Sequence, residues 1–545
     1  MTSSEPLAKQ FLGFDLSTQQ LKGVVINEKR EVLHESHVQF DTDLPEFRTH
    51  NGVITVLTKG QKPEVSAPVL MWVKALDMIL ERLRVCGADF SQIASLSGSA
   101  QQHGTVYWVN GAEETLKSLD EGQFLHNQMA TSFASPTAPV WLDSSTTAYS
   151  QKLEESVGGP EELAIITGSK AYERFSASQI AKVASIRTTV YNKTERISLV
   201  SSFMCSLFLG KYAAIDYADG SGMNLLDIKS KEWSPQLLEA TAPGLAEKLG
   251  DPVPSHSVLG QISNYFVERF GFNEECDVVA FTGDNPSSLA GMCLEEGDMA
   301  ISLGTSDTLF MWLKEQKYLE NGSVFVNPLN ETEYMGLLCY KNGSLVRERI
   351  KDKCTKSKGW EEFGSLLQST PWGNFGYMGL YFDEEEIVHP VQGEFKFDQD
   401  GRRIEKFDSH EVEIRALVEG QFLLKRLHLE DLDIPVESFS RIVATGGASQ
   451  NQMILQVIAD VFNAPVYTLD NKNSALLGAA YRALDSYSRF AKAGRKNENG
   501  APLAQGLTLV CSPYSEALQI YTPMVEKCRA QMKSILPSIG DDEAS

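Results

Sequence analysis

The chain has 545 residues, 42% of them hydrophobic and 22% charged, and a formal net charge of −23 at pH 7. That length exceeds the ~250–300 residues at which one core stops growing, so two large domains are expected. The acidity argues against a nucleic-acid partner and against anionic membrane surfaces, and no run approaches the ~18–20 apolar residues that span a bilayer. A nucleotide stays admissible, because Mg²⁺ and backbone N–H groups override a global field locally. Eight cysteines without a Cys-x-x-Cys pair suit reduced thiols. Met1 to Gln10 is polar and lacks a signal-peptide core, so the expected compartment is the cytoplasm.

In chain order, two β-prone runs between Phe11 and Ile26 flank a polar tip at Ser17 to Gln20, the pattern of a hairpin. Asp15 precedes the tip, where a carboxylate can hold hydrated Mg²⁺, and the hydroxyls of Ser17 and Thr18 suit a phosphate. The same pattern also reads as an ordinary polar hairpin. Residues 41–65 look like an irregular excursion. A helix is expected to open at Ser66 to Pro68, with Val69, Val73, Leu76, Leu80 and Leu83 on one stripe.

A strand from Gln92 to Leu96 runs into Ser97-Gly-Ser-Ala-Gln-Gln-His-Gly104. His103 there suits a sugar hydroxyl through a neutral imidazole, although a lone His is more often structural. Arg174 falls in a turn before a helix (Ile180 to Ile186) and reads as a contact to hydroxyls or phosphate, or as a surface salt bridge. Asp216 to Asn224 is a further polar, glycine-bearing loop.

Val278 to Phe281 reads as a buried strand that breaks at Gly283, exposes Asp284 and Asn285, and restarts as a helix at Pro286. A carboxylate at such a turn sits where open α/β sheets bind ligands. Asp284 is therefore a candidate general base; capping the following helix is the commoner role for Asp at such a place. Met299 to Trp312 repeats the β-run, hydroxyl-rich tip and β-run of the N-terminus. Two such hairpins suggest two related domains gripping a phosphate chain between them. Later, Arg441 to Asn451 leads into a helix from Met453 to Phe462, and Gly446-Gly447 leaves room for a flat ring or ribose. Ala475 to Ala480 suggests tight helix packing, and Trp360 and Trp372 are candidate base-stacking platforms. Residues 486–512 and 535–545 read as linker and loose tail. Walker A, Gly-x-Gly-x-x-Gly and His-Glu-x-x-His motifs are all missing from the sequence.

The tip at Asp15 to Thr18, Gln101-Gln-His-Gly104, Gly283-Asp-Asn285, Ser302-Leu-Gly-Thr-Ser-Asp307 and Thr445-Gly-Gly-Ala-Ser449 stand in the order found in FGGY carbohydrate kinases, which residues 10–485 resemble. The resemblance implies an α/β fold of two actin-like (ribonuclease H-like) domains with the active site in the cleft. The expected parts are an N-terminal domain at 1–290 with the sugar site and base, a C-terminal domain at 291–487 with the nucleotide site, and a linker and tail at 488–545. It implies phosphorylation of a sugar, D-xylulose at its 5-hydroxyl, by ATP with Mg²⁺. Alternatives are a ribulose, gluconate or glycerol kinase of the same family, or a non-catalytic sugar or nucleotide sensor. Carried over by residue, Asp284 is the base and a sugar anchor, with His103, Arg174 and Asn285 as further substrate contacts. Gly447, Ala448 and Asn451 line the adenine or ribose pocket, Trp360 packs on the nucleotide, Thr305 faces the transferred phosphoryl group, and Asp15 holds Mg²⁺ through water.

Overall fold

The structure, a computed structural model, describes residues 9–469, 473–492 and 506–536. Gln10–Leu16 (β1), Gln20–Asn27 (β2) and Val32–Gln39 (β3) form an antiparallel meander. The β1–β2 tip closes through Ser17, whose N–H and Oγ both donate to Gln20 O at 3.0 and 3.2 Å. Phe11, Leu12, Phe14 and Leu16 are all buried, which a strand covered on both faces requires. Val69–Val85 (α1) carries the chain to Ile93–Ala100 (β4), which pairs parallel to β1. The expected stripe on α1 is buried in full together with Trp72. The helix begins at Val69, because Glu64–Pro68 is held as a strand by its neighbours on either side.

Ser176–Ile186 (α2) and Val200–Leu209 (α3) precede Val258–Gln261 (β5), Asp277–Val279 (β6) and Thr282–Gly283 (β7). The sheet order is β5-β6-β4-β1-β2-β3, with β7 lying parallel beside the end of β4. Asp284–Gly291 (α4) follows directly.

The second half repeats this plan. Asp298–Leu303 (β8), Asp307–Leu313 (β9), Gly322–Val326 (β10) and Tyr334–Tyr340 (β11) form an antiparallel set. Ser344–Cys354 (α5), Trp360–Gln368 (α6) and the long His410–Asp431 (α7) lead to Arg441–Thr445 (β12), which pairs parallel to β8 as β4 does to β1. Gln452–Phe462 (α8), Val466–Leu469 (β13), Ser474–Lys492 (α9), Leu507–Cys511 (β14) and Ala517–Ile535 (α10) complete it. The order is β10-β11-β9-β8-β12-β13-β14.

The two halves exchange their closing helices. Leu289 of α4, with Met292 and Leu294 after it, packs on Ala300, Phe310 and Val443 of the second sheet. Leu476, Leu477, Ala480 and Tyr481 of α9 pack on Phe11, Val24 and Ile26 of the first. The small residues expected to allow tight packing do so: a Cβ on Gly13 would meet Ala480 N at 2.6 Å.

One expectation fails. The segment 488–545 is not only linker and tail, because β14 pairs with β13 and α10 buries Tyr521, Val525, Cys528 and Met532 in the second core. Those apolar positions recur at helical spacing but are diluted by charged neighbours, and α7 and α8 supply the surface they cover. Residues 493–505 and 537–545 of that segment lie outside the described residues. Among the described residues no helix is long and apolar enough to cross a membrane.

Candidate active site

Three chain turns of the first half converge at the carboxyl ends of β4 and β7. The loop after β4 holds His103 at φ 73°, a left-handed conformation. Its Nδ1 lies 2.8 Å from Gly222 O, and its ring stacks on Phe175 with centroids 4.2 Å apart. A carbonyl only accepts, so Nδ1 carries the proton and Nε2 is left as an acceptor. Burial, with Arg174 nearby, pushes the His103 pKa down to about 3, so the ring is neutral. Arg174 sits over the ring of Tyr172 at 5.3 Å. It makes no ion pair among the described residues, so the surface salt bridge that its sequence context also allowed is not formed.

Gly283 is the N-cap of α4 and offers no side chain, so Asp284 opens the helix rather than capping it, and the helix starts before Pro286. The Asp284 carboxylate accepts the N–H of Asn285 at 2.9 Å. Burial, and then the like charge of Asp15, pushes its pKa up to about 7. Asp15 is itself 6% exposed and accepts Ser99 Oγ at 2.8 Å. Burial raises it too, against the lowering effects of Ser99 and Lys22.

His103, Arg174, Asp284 and Asn285 line one cavity of about 610 Å³, which Ser306, Thr308 and Lys341 close from the second half. Thr305, Trp360, Gly447, Ala448 and Asn451 line a second cavity of about 750 Å³. The β8–β9 tip, Gly304 to Ser306, stands between them, with Thr305 on one side and Ser306 on the other. Gly446, at φ 83°, lies where a Cβ would meet Leu303 O at 2.6 Å, whereas a Cβ on Gly447 would meet nothing within 4 Å. Asn451 uses Oδ1 to cap α8 at the N–H groups of Met453 and Ile454 (3.0 and 3.2 Å), which leaves Nδ2 to the cavity. Trp360 is 37% exposed, with Lys351 Nζ 4.8 Å from its ring centroid. Trp372 is not a platform there; it stacks on Tyr514 at 4.1 Å, outside the second cavity.

The tip between the cavities is braced from beneath. Asp307 accepts two bonds from Arg347 at 2.9 and 2.8 Å and pairs with Lys425 at 3.1 Å, all three buried. Burial alone would raise the Asp307 carboxyl, but Lys425 and Arg347 hold it below its ordinary value. Ser344 N–H donates to Gly304 O at 2.8 Å, tying the start of α5 to the tip.

Among the described residues no three His, Cys, Asp or Glu side chains converge as a metal cage. The charge of Asp15 raises the proton affinity of Asp284, and the two acids are a donor set that suits a hydrated Mg²⁺ brought in by polyphosphate oxygens. Sequence reasoning missed Asp216, Asp219, Gln102 and Lys341. The only signal for the two acids was the polar, glycine-bearing loop that carries them.

Residues 136–291 match the FGGY family of carbohydrate kinases, N-terminal domain, and residues 299–486 match its C-terminal domain. The chain is 50% identical over 516 residues to a xylulose kinase of Rattus norvegicus, covering 95% of each. It is 46% identical over 492 residues to xylulose kinase 2 of Arabidopsis thaliana, covering 88% of each. Among solved structures, xylulose kinase from Rhodospirillum rubrum superposes with a TM-score of 0.77 at 15% identity, covering 96% of this chain and 99% of that one. Gluconate kinase from Lactobacillus acidophilus gives 0.74 at 17% identity over 98% and 99%. At those identities the likeness speaks for the fold.

Proposed function

The chain belongs to the FGGY family of carbohydrate kinases, and from that premise we propose that it transfers the γ-phosphoryl group of ATP to the 5-hydroxyl of D-xylulose. Near-full-length similarity to proteins named xylulose kinase supports the substrate. The observation that carries the chemistry is the pair of cavities separated only by the Gly304–Ser306 tip, with a carboxylate of raised pKa on the floor of one.

In this reading the first half supplies the sugar site and the second the nucleotide site. His103, Arg174 and Asn285 hold sugar hydroxyls, and Asp284 accepts the proton of the attacking hydroxyl as its oxygen bonds to phosphorus. The transition state is loose, so positioning and charge dominate, and a base near neutrality is strong enough. Trp360, Gly447, Ala448 and Asn451 hold the nucleotide, and Thr305 donates to the phosphoryl group in transfer. Asp15 would hold Mg²⁺ through water, and the ion would offset polyphosphate charge. Unpaired cysteines suit a cytoplasmic setting.

Release of ADP measured across D-xylulose, D-ribulose, L-xylulose, gluconate and glycerol tests this reading. The highest kcat/KM is expected for D-xylulose. Arg174 and Lys341 both line the sugar cavity without an ion-pair partner among the described residues, which favours a sugar acid such as gluconate as the second reading. Binding heat without ADP would indicate a sensor.

A further inference from the structure

We propose that Asp219 is a positioning residue that fixes the direction of a carboxamide relay through Gln102 to Asn285, and so presents an acceptor to the sugar. The idea rests on the sugar cavity proposed above.

Asp219 lies in the single turn Tyr217–Gly220 and is 1% exposed. Gln102, 3% exposed, donates from Nε2 to Asp219 Oδ1 at 3.3 Å. Asn285 in turn donates from Nδ2 to Gln102 Oε1 at 2.9 Å. Gln102 and Asn285 both line the cavity; the Gln102 oxygen is taken by Asn285, whereas Asn285 Oδ1 has no hydrogen-bond donor among the described residues. The direction follows from the far end. Flipping the Gln102 amide would set its carbonyl oxygen against Asp219 Oδ1 and its NH₂ against the NH₂ of Asn285, two mismatches in buried surroundings. The carboxyl of Asp219 thus decides what Asn285 shows to a ligand about two side chains away.

The surroundings are built for this arrangement. Ser201 Oγ on α3 lies 2.6 Å from Asp219 Oδ2, and the backbone N–H of Asp219 donates to Asp216 Oδ1 at 3.2 Å. A Cβ on Gly283, next to the proposed base, would meet Asp219 Oδ1 at 2.7 Å and Gln102 Cγ at 2.5 Å. The glycine between β7 and α4 is therefore the space in which the relay lies. Burial, and then Asp216, pushes the Asp219 carboxyl up to about 8. Ser201 Oγ donates to Oδ2 and Gln102 Nε2 donates to Oδ1, so both carboxyl oxygens of Asp219 act as acceptors here. With Nδ1 of His103 committed to Gly222, Asp284, Asn285 Oδ1 and His103 Nε2 are acceptors that the first half brings to the cavity. Arg174 and Lys341 are the cationic donors. Polyol hydroxyls, which both donate and accept, can meet these acceptors as well as the two cations.

The test is steady-state kinetics on the full-length enzyme, with the sugar that the wild type turns over best in the substrate panel. Asp219→Ala is expected to raise KM for that sugar about tenfold or more, while KM for ATP stays within about threefold. Asp219→Asn, which keeps an acceptor toward Gln102 and turns an NH₂ toward Ser201, whose hydroxyl can rotate to accept it, is expected to stay within about threefold of wild type on both. Combined with Asn285→Ala, Asp219→Ala should add little to the effect of Asn285→Ala alone. An unchanged sugar KM in Asp219→Ala, equal rises for both substrates, or independent effects in the double variant would each overturn the relay. Should Asp219→Ala fail to fold, Gln102→Glu removes the donor at nearly constant shape and must give the same selective rise, or the relay is wrong. A panel that picks a sugar other than D-xylulose overturns the substrate reading and leaves this test intact.

Discussion

Gly291 and Gly478 face each other where α4 crosses α9, so close that a Cβ on either would overlap a backbone carbonyl oxygen, Ser474 O in one case and Ser287 O in the other. Neither helix end can yield, since each is packed on the opposite half's sheet. Gly478→Ala is expected to destabilise by about 1–3 kcal/mol, seen as a drop of several degrees in melting temperature. Wild-type melting behaviour in this variant would mean that the crossing is looser than described.

Gly447 is the counter-case. It has open space around it and faces the second cavity. Gly447→Ala should leave the melting temperature unchanged and raise KM for ATP, because the methyl occupies the place of the nucleotide. Trp360→Ala is expected to raise KM for ATP about tenfold by loss of stacking surface, with the sugar KM unaffected. Equal changes in both constants would remove Trp360 from the nucleotide site.

Asp284→Asn keeps the size of the side chain and removes its basicity. Loss of a general base costs about 10²–10⁴ in kcat, with ADP affinity by calorimetry largely intact. A variant that keeps a tenth of the wild-type rate would sink the base assignment.

The pH dependence carries a definite sign. Asp284 is raised from 3.8 to about 7, and as a base it works only when ionised, so kcat/KM for the sugar should rise with pH through about 7 and then level. His103, held near 3, adds no inflection between pH 5 and 8. For stability, unfolding between pH 3.8 and 7 releases the proton that the folded carboxyl keeps, so this group's contribution is lost as pH rises and is gone above 7. The melting temperature of Asp284→Asn should therefore pull ahead of wild type between pH 4 and 7 and keep a constant lead above, worth on the order of 4 kcal/mol. A lead that shrinks with rising pH contradicts the assignment.

Asp307→Asn leaves Arg347 and Lys425 buried beneath the tip with no formal counter-charge from that position. Breaking such a group costs about 3–5 kcal/mol, measurable as a fall in the urea midpoint. Less than about 1 kcal/mol would show that Glu386, whose charge also acts on Lys425, compensates.

Much of the plan was legible because local pattern and tertiary need agree. The tips at Ser17 and Thr305 are polar interruptions of runs that must be buried, and the pair of them marks two related halves. Asp284 stood out because its turn ends a buried strand. Asp219 did not, because its neighbours give no periodic signal and its partner Gln102 is distant in sequence. Trp372 looked like Trp360 by composition, and only the position of Tyr514 separates them. The role of α10 was hidden for a related reason. Its buried residues face α7 and α8, and no local rule announces that those helices have a free side.

The exchange of closing helices bears on how the chain reaches its native state. Strand β1 is made first, yet the covering of Phe11, Val24 and Ile26 comes from α9 near the other end of the sequence. During synthesis the first sheet must wait, one face bare, until almost the entire polypeptide has emerged. Such a protein cannot be assembled domain by domain, and separately expressed halves would each carry a greasy face in search of its missing helix.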